Sequence, residues 1–162
     1  MNYWWDFCPR LVHLGIWDGV RLETSGAVRI EDAWVRPHLR EGLDRAVVRV
    51  QVDLSASCPA RAAVEVILRD PQGRVVARDA SERELAAGAG RFATDLEVAQ
   101  PRLWWPNGSG EQPLYRAEIR AVDLDEPATP SDERQVSIGL RRLEWVSNDA
   151  DPAGEARPCG AP

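Results

Sequence analysis

Apolar residues recur at every second position through most of this chain, and a period of two marks a strand with one face buried. Ala46, Val48, Val50, Val52 and Leu54 alternate with Val47, Arg49, Gln51 and Asp53. Ala62, Val64, Val66 and Leu68 alternate with Ala63, Glu65, Ile67 and Arg69. Asp70-Pro71-Gln72-Gly73 then supplies turn residues, and Arg74 to Arg78 follows as the second arm of a hairpin. The same period returns at Phe92, Thr94, Leu96 and Val98, at Tyr115, Ala117, Ile119 and Ala121, and at Val136, Ile138 and Leu140. An opening strand lies near Val28 to Val35.

No segment shows a convincing amphipathic helix, although Ser81 to Ala87 has room for one turn before Gly88-Ala89-Gly90. Roughly seven short strands separated by turn signals predict an all-β fold: an antiparallel immunoglobulin-like β-sandwich over residues 25–146, with an extra N-terminal strand segment. The Cys-Trp-Cys pattern of antibody domains is absent, so apolar packing must hold the sheets together. The flanks differ. Residues 1–24 are rich in aromatics, with Tyr3, Trp4, Trp5, Phe7 and Trp17. Residues 147–162 have almost no apolar periodicity and read as a linker or tail.

Composition excludes several function classes. The 162 residues are 44% hydrophobic and 28% charged, as expected of a soluble globular domain with tails. The net charge of -6 is spread along the chain, which argues against nucleic acid as a partner. No apolar run is long enough for a membrane span. The N-terminus has neither a basic n-region nor an apolar h-region, so the expected location is cytoplasmic. Every basic residue is Arg and none is Lys, a mark of a GC-rich genome rather than of function. Cys8, Cys58 and Cys159 are odd in number and widely spaced, so small buried or half-buried thiols are expected, not a disulfide framework or a zinc site. His13 and His38 stand apart from any Ser, Cys or metal-ligand spacing. No metal or organic cofactor is implied.

Three blocks carry a resemblance. The first is Trp5-Asp6-Phe7-Cys8-Pro9-Arg10-Leu11, then Gly15-Ile16-Trp17 and Val20-Arg21-Leu22-Glu23. The second is Leu103-Trp104-Trp105-Pro106-Asn107-Gly108, continuing through Gly110-Glu111-Gln112-Pro113-Leu114-Tyr115. The third is Ile138-Gly139-Leu140-Arg141. Together, in this order, they resemble the middle of a family 2 glycoside hydrolase of the β-mannosidase type. The first block is similar to the closing strands of that family's opening jelly roll, which commonly reads Trp-Asp-Trp-Gly-Pro and then Gly-Ile-Trp; here Phe7 and Cys8 replace the second Trp and the Gly. The other two are similar to the first immunoglobulin-like domain. The resemblance implies a fragment: residues 1–24 end a jelly-roll sugar-binding domain, residues 25–146 are the sandwich, and residues 147–162 lead toward a catalytic barrel.

The resemblance also assigns roles. Asp6 would contact the hydroxyls of a terminal mannose and Trp5 would shape the pocket wall, since a pyranose offers apolar C–H faces to indole and hydroxyls to polar groups. Read from the residues alone, Trp5 packs in a core and Asp6 caps a turn. Trp104 and Trp105 precede a tight-turn signal; alternation sends one indole inward and leaves the other near a surface or a domain interface. Asn107-Gly108-Ser109 matches a glycosylation sequon, which is read as chance. A retaining glycosidase needs two carboxyl groups flanking the scissile bond. In this family both are Glu on the (β/α)₈ barrel, and no barrel strand is seen here. The expectation is therefore a non-catalytic portion of a glycosidase whose partners are a β-mannoside or related sugar and the barrel. Two alternatives stand beside it: a carbohydrate-binding module using Trp104 or Trp105, and an interaction domain that docks to a separate barrel-bearing chain.

Overall fold

The structure is a computed structural model that describes residues 15–144. Its strands are β1 (Val28–Leu39), β2 (Arg45–Ala56), β3 (Ala60–Arg69), β4 (Val75–Leu85), β5 (Gly88–Ala99), β6 (Tyr115–Asp123) and β7 (Asp132–Ile138). All pairing is antiparallel, in a three-stranded sheet of order β1-β2-β5 and a four-stranded sheet of order β4-β3-β6-β7. The fold is the expected immunoglobulin-like β-sandwich. Among the described residues no helix is long and apolar enough to cross a membrane.

Alternation sorts the side chains. Val48, Val50 and Val52 of β2 are fully buried and share one core with Val64, Val66 and Leu68 of β3, Phe92 and Leu96 of β5, and Ile119 of β6. Each such side chain stabilises the fold by about 1.5–3 kcal/mol relative to exposure. The intervening residues point outward, and many pair across strands. Arg49 donates twice to Asp95, at 2.9 Å each, and Arg91 donates to Asp53 at 2.6 and 3.2 Å. The sheets are stitched together where the chain enters them. Val28 N–H donates to Ser131 Oγ at 2.9 Å, and Ile30 N–H to Asp132 Oδ2 at 2.8 Å.

The β3–β4 turn shows how locally the sequence acts. Asp70 is only 7% exposed, and one of its carboxylate oxygens accepts from the N–H groups of Gln72 and Arg74, at 2.9 Å each. Its other oxygen accepts from Arg74 Nε at 2.8 Å. Gly73 takes the left-handed conformation, φ +83°, which closes the turn.

Two expectations are corrected. Ser81 to Ala87 forms no helical turn: β4 continues to Leu85 and pairs with β3 from Val64↔Ser81 to Ala60↔Leu85. The residues Glu82-Arg83-Glu84-Leu85 favour a helix intrinsically. Pairing along the edge of the four-stranded sheet overrides that preference, and the charges protect the open edge. Cys58 is exposed rather than buried, because it sits in the connection between β2 and β3 and not on an inward-facing strand position. Cys8 and Cys159 lie outside the described residues.

Candidate functional site

The connection between β5 and β6 carries Trp104 and Trp105, and its course is set by backbone pairing. Gln100 N–H donates to Asp44 C=O at 2.7 Å, with Gln100 at φ +45°. Arg102 N–H donates to the buried Tyr115 hydroxyl at 2.9 Å, and its guanidinium meets Glu111 at 2.6 Å. Trp104 N–H donates to Leu140 C=O and Trp105 N–H to Glu111 C=O, both at 2.9 Å. A turn closed by Ser109 N–H on Pro106 C=O reverses the chain.

Two glycines let the indoles lie flat. A Cβ at Gly139 would stand 2.7 Å from Trp104 Cγ, and one at Gly110 would stand 2.9 Å from Trp105 Cγ. Either contact is too close for any other residue. Trp104 is half-buried beneath Arg141, whose guanidinium carbon lies 4.5 Å from the ring centroid. Trp105 is 46% exposed. One indole thus packs inward and the other faces outward, as alternation predicted.

Beside them lies a cleft of about 210 Å³, lined by Leu39, Leu43, Leu103, Trp104, Trp105, Pro106, Leu143, Arg141 and Arg142. Leu43 adopts φ +57°, a costly conformation for a branched side chain, and stands over this cleft. The lining is aliphatic and aromatic with an arginine rim, and it contains no carboxylate. Such a surface suits another apolar surface better than it suits bond cleavage.

The carboxylates lie elsewhere, and those with altered acidity are altered in the wrong direction for acid catalysis. The guanidinium of Arg49 holds Asp95 below the usual carboxylate range, and that of Arg91 does the same for Asp53. At Asp70, burial pushes the carboxyl up, but the backbone N–H and guanidinium of Arg74 and the N–H of Gln72 outweigh it and hold it below the usual carboxylate range. A general acid near neutral pH needs the opposite shift. A second hollow, of about 250 Å³, is lined by Glu23, Thr24, Ser25, Arg29, Asp132, Glu133 and Arg134. Its charges are committed to the junction: Arg134 Nη2 reaches Glu23 and Ile30 C=O, both at 3.3 Å. No group of three His, Cys, Asp or Glu suited to a metal occurs among the described residues.

The family described as glycosyl hydrolases family 2 matches residues 28–141, the whole sandwich together with the tryptophan connection. The chain belongs to glycosyl hydrolases family 2. It is similar to beta-mannosidase B of Emericella nidulans, 31% identical over 148 residues, covering 90% of this chain and 16% of the relative. Beta-mannosidase B of Aspergillus terreus is 34% identical over 149 residues, with the same 90% and 16% coverage. The chain thus spans about 16% of the length of the curated relatives it matches. Among solved structures, the fold matches beta-D-mannosidase from Dictyoglomus thermophilum with a TM-score of 0.75 at 24% identity, covering 91% of this chain and 17% of that one. It matches the exo-chitosanase of Amycolatopsis orientalis with a TM-score of 0.59 at 26% identity, covering 78% and 14%.

In this family 2 chain, Trp5 and Asp6, the residues assigned to sugar contact, lie outside the described residues, as does His13. His38 is solvent-facing on β1. Sequence reasoning passed over Leu43 and Trp34, and it read Gly139 only as part of a motif, not as the close neighbour of Trp104. Only Trp34 left a usable signal: it falls in phase with Asp32, Arg36 and His38, on the polar side of β1, and it is 54% exposed.

Proposed function

We propose that these residues are the non-catalytic portion of a β-mannosidase-type glycoside hydrolase, in which the sandwich is a scaffold between domains. The complete enzyme hydrolyses terminal β-mannosides with two carboxyl groups on a barrel that follows this region. Residues 1–24 close the preceding jelly roll. There Asp6 accepts hydrogen bonds from the hydroxyls of the terminal sugar, and Trp5 walls the pocket. The sandwich keeps the two neighbours in register.

The observation that supports this reading is where the apolar surface remains uncovered. Ile16, Trp17, Val20 and Leu22 are 83%, 93%, 80% and 92% exposed where the chain runs into the sandwich. Trp105 and Leu143 are 46% and 79% exposed where it leaves. Apolar surface concentrated at both ends of a closed core suits a module held between two others. An immunoblot of source cells with an antibody against the sandwich tests it. A species several times larger than 18.0 kDa that co-fractionates with β-mannoside hydrolysis is expected. A band near 18.0 kDa, with the activity in other fractions, overturns the reading.

A further inference from the structure

The outer face of the β1-β2-β5 sheet combines an open indole with ordered polar groups. Trp34 lies opposite Gln51, which lies opposite Ala93. On one side of this row stand Asp32, Asp53 and Arg91; on the other stand Arg36, Arg49 and Asp95. The Arg36 guanidinium carbon sits 3.9 Å from the centroid of the Trp34 ring and covers one face, and Trp34 is still 54% exposed. A bulge at Ile30/Asp32 resets the register just before Trp34 and brings Asp32 onto the same face.

The polar groups are held but not exhausted. Asp53 and Arg91 lock each other through two hydrogen bonds, as do Arg49 and Asp95. Each pair keeps free donors and lone pairs at its rim. Asp32 Oδ1 accepts the N–H of Ala33 at 2.8 Å and no other hydrogen bond among the described residues. Gln51 is half-buried between the two ion pairs, and its carboxamide makes no hydrogen bond among the described residues. Ala93 leaves the floor beside it low.

We propose that this face, centred on Trp34 and Gln51, binds a neutral pyranose unit of an oligosaccharide. The C–H face of the ring stacks on the exposed indole, and the hydroxyls reach the Gln51 carboxamide, Asp32 and the rims of the two ion pairs. Because the three guanidinium groups beside the row, of Arg36, Arg49 and Arg91, are balanced in number by the carboxylates of Asp32, Asp53 and Asp95, the surface offers donors and acceptors without an excess of positive charge. That favours an uncharged polyol over a phosphate or a uronic acid. The surface is distinct from the Trp105 cleft and from Trp5 and Asp6, and it does not depend on the scaffold role.

The test uses the whole 162-residue chain, labelled with ¹⁵N and titrated with mannotetraose, with cellotetraose and with a tetragalacturonate as the charged control. The seven indole N–H signals are assigned by single Trp variants. A neutral tetrasaccharide should shift the Trp34 indole and the Gln51 carboxamide saturably, with little response to the charged control. W34A and Q51A should each weaken binding, W34A by about tenfold, while W105A leaves it unchanged. Trp34 is exposed, so W34A should keep the dispersed amide spectrum of the sandwich; Q51A is the check if it does not. Either of two results overturns the proposal. One is no shift at Trp34 with either neutral sugar; the other is binding that persists unchanged in both variants or is lost in W105A.

Discussion

The sandwich and the segment that leads into it are both rich in apolar residues, yet they meet opposite fates. In β2, Val48, Val50 and Val52 are fully buried. In residues 16–22, Ile16, Trp17, Val20 and Leu22 are at least 80% exposed. The difference is not composition. β2 has antiparallel neighbours on both sides and a second sheet over its apolar face. The lead-in segment has the apolar side chains, but no described strand pairs with it. Among the described residues its ties to the sandwich begin near its end, with the Arg134–Glu23 contact at 3.3 Å and then Gly26 N–H on Ser131 C=O at 2.7 Å. Apolar pattern alone makes a strand eligible for burial; a pairing partner and a facing layer make the burial happen.

This contrast can be broken or sharpened by mutation. The largest effect should come from the core: F92A destabilises the sandwich by about 3–5 kcal/mol, read by urea denaturation. A loss below about 1 kcal/mol would mean the sheets are not packed as described. Next comes Gly139→Val, whose Cβ would collide with Trp104 at 2.7 Å. It should cost about 1–3 kcal/mol, and pairing it with W104A should recover most of that loss. By contrast, removing residues 1–24 should change sandwich stability by no more than about 1 kcal/mol, since among the described residues the side-chain tie it breaks to the sandwich is the part-exposed Arg134–Glu23 ion pair, while it sharply reduces self-association in sedimentation experiments. Unfolding of the truncated chain would place the domain boundary elsewhere.

The smallest expected effect is electrostatic. Asp53, Asp70 and Asp95 all have lowered pKa values in the fold. The unfolded chain regains the ordinary carboxylate value near ~4, so in acid it binds more protons than the folded chain. Their contribution is therefore fully present above that ordinary value and is lost as pH falls through the folded values. The Tm should hold from pH 7 to about 5 and decline below about 4. D70N should flatten that decline while lowering the Tm at pH 7 by a few degrees. An identical acid profile in D70N would remove Asp70 from the explanation.

Much of the sandwich was legible in the sequence, because central strands with one buried face write their period plainly. β2, β3 and β6 were read almost to their ends. Edge strands were read short: β1 runs on to Leu39 and β4 to Leu85, through polar or charged stretches whose placement depends on the neighbouring strand. That one indole of the Trp104–Trp105 pair faces outward was foreseeable from alternation, but not which one, and the Trp104–Gly139 contact joins residues 35 positions apart and leaves no local trace. Leu43 could not be anticipated either, since nothing in its neighbours demands a positive φ. Family membership was legible through three ordered motifs, and residues 28–141 carry it. Asp6 and Trp5 fall outside the described residues, so their sugar-contact role rests on the resemblance.

The proposed role of this region is to support glycoside hydrolysis by a larger enzyme without itself cleaving the bond. Incubating the purified 162-residue chain with p-nitrophenyl β-D-mannopyranoside from pH 4 to 8 tests it most directly. The account predicts release of nitrophenol no faster than in the buffer blank at every pH. Turnover that co-purifies with the chain and disappears on mutation of one of its own carboxylates would contradict it.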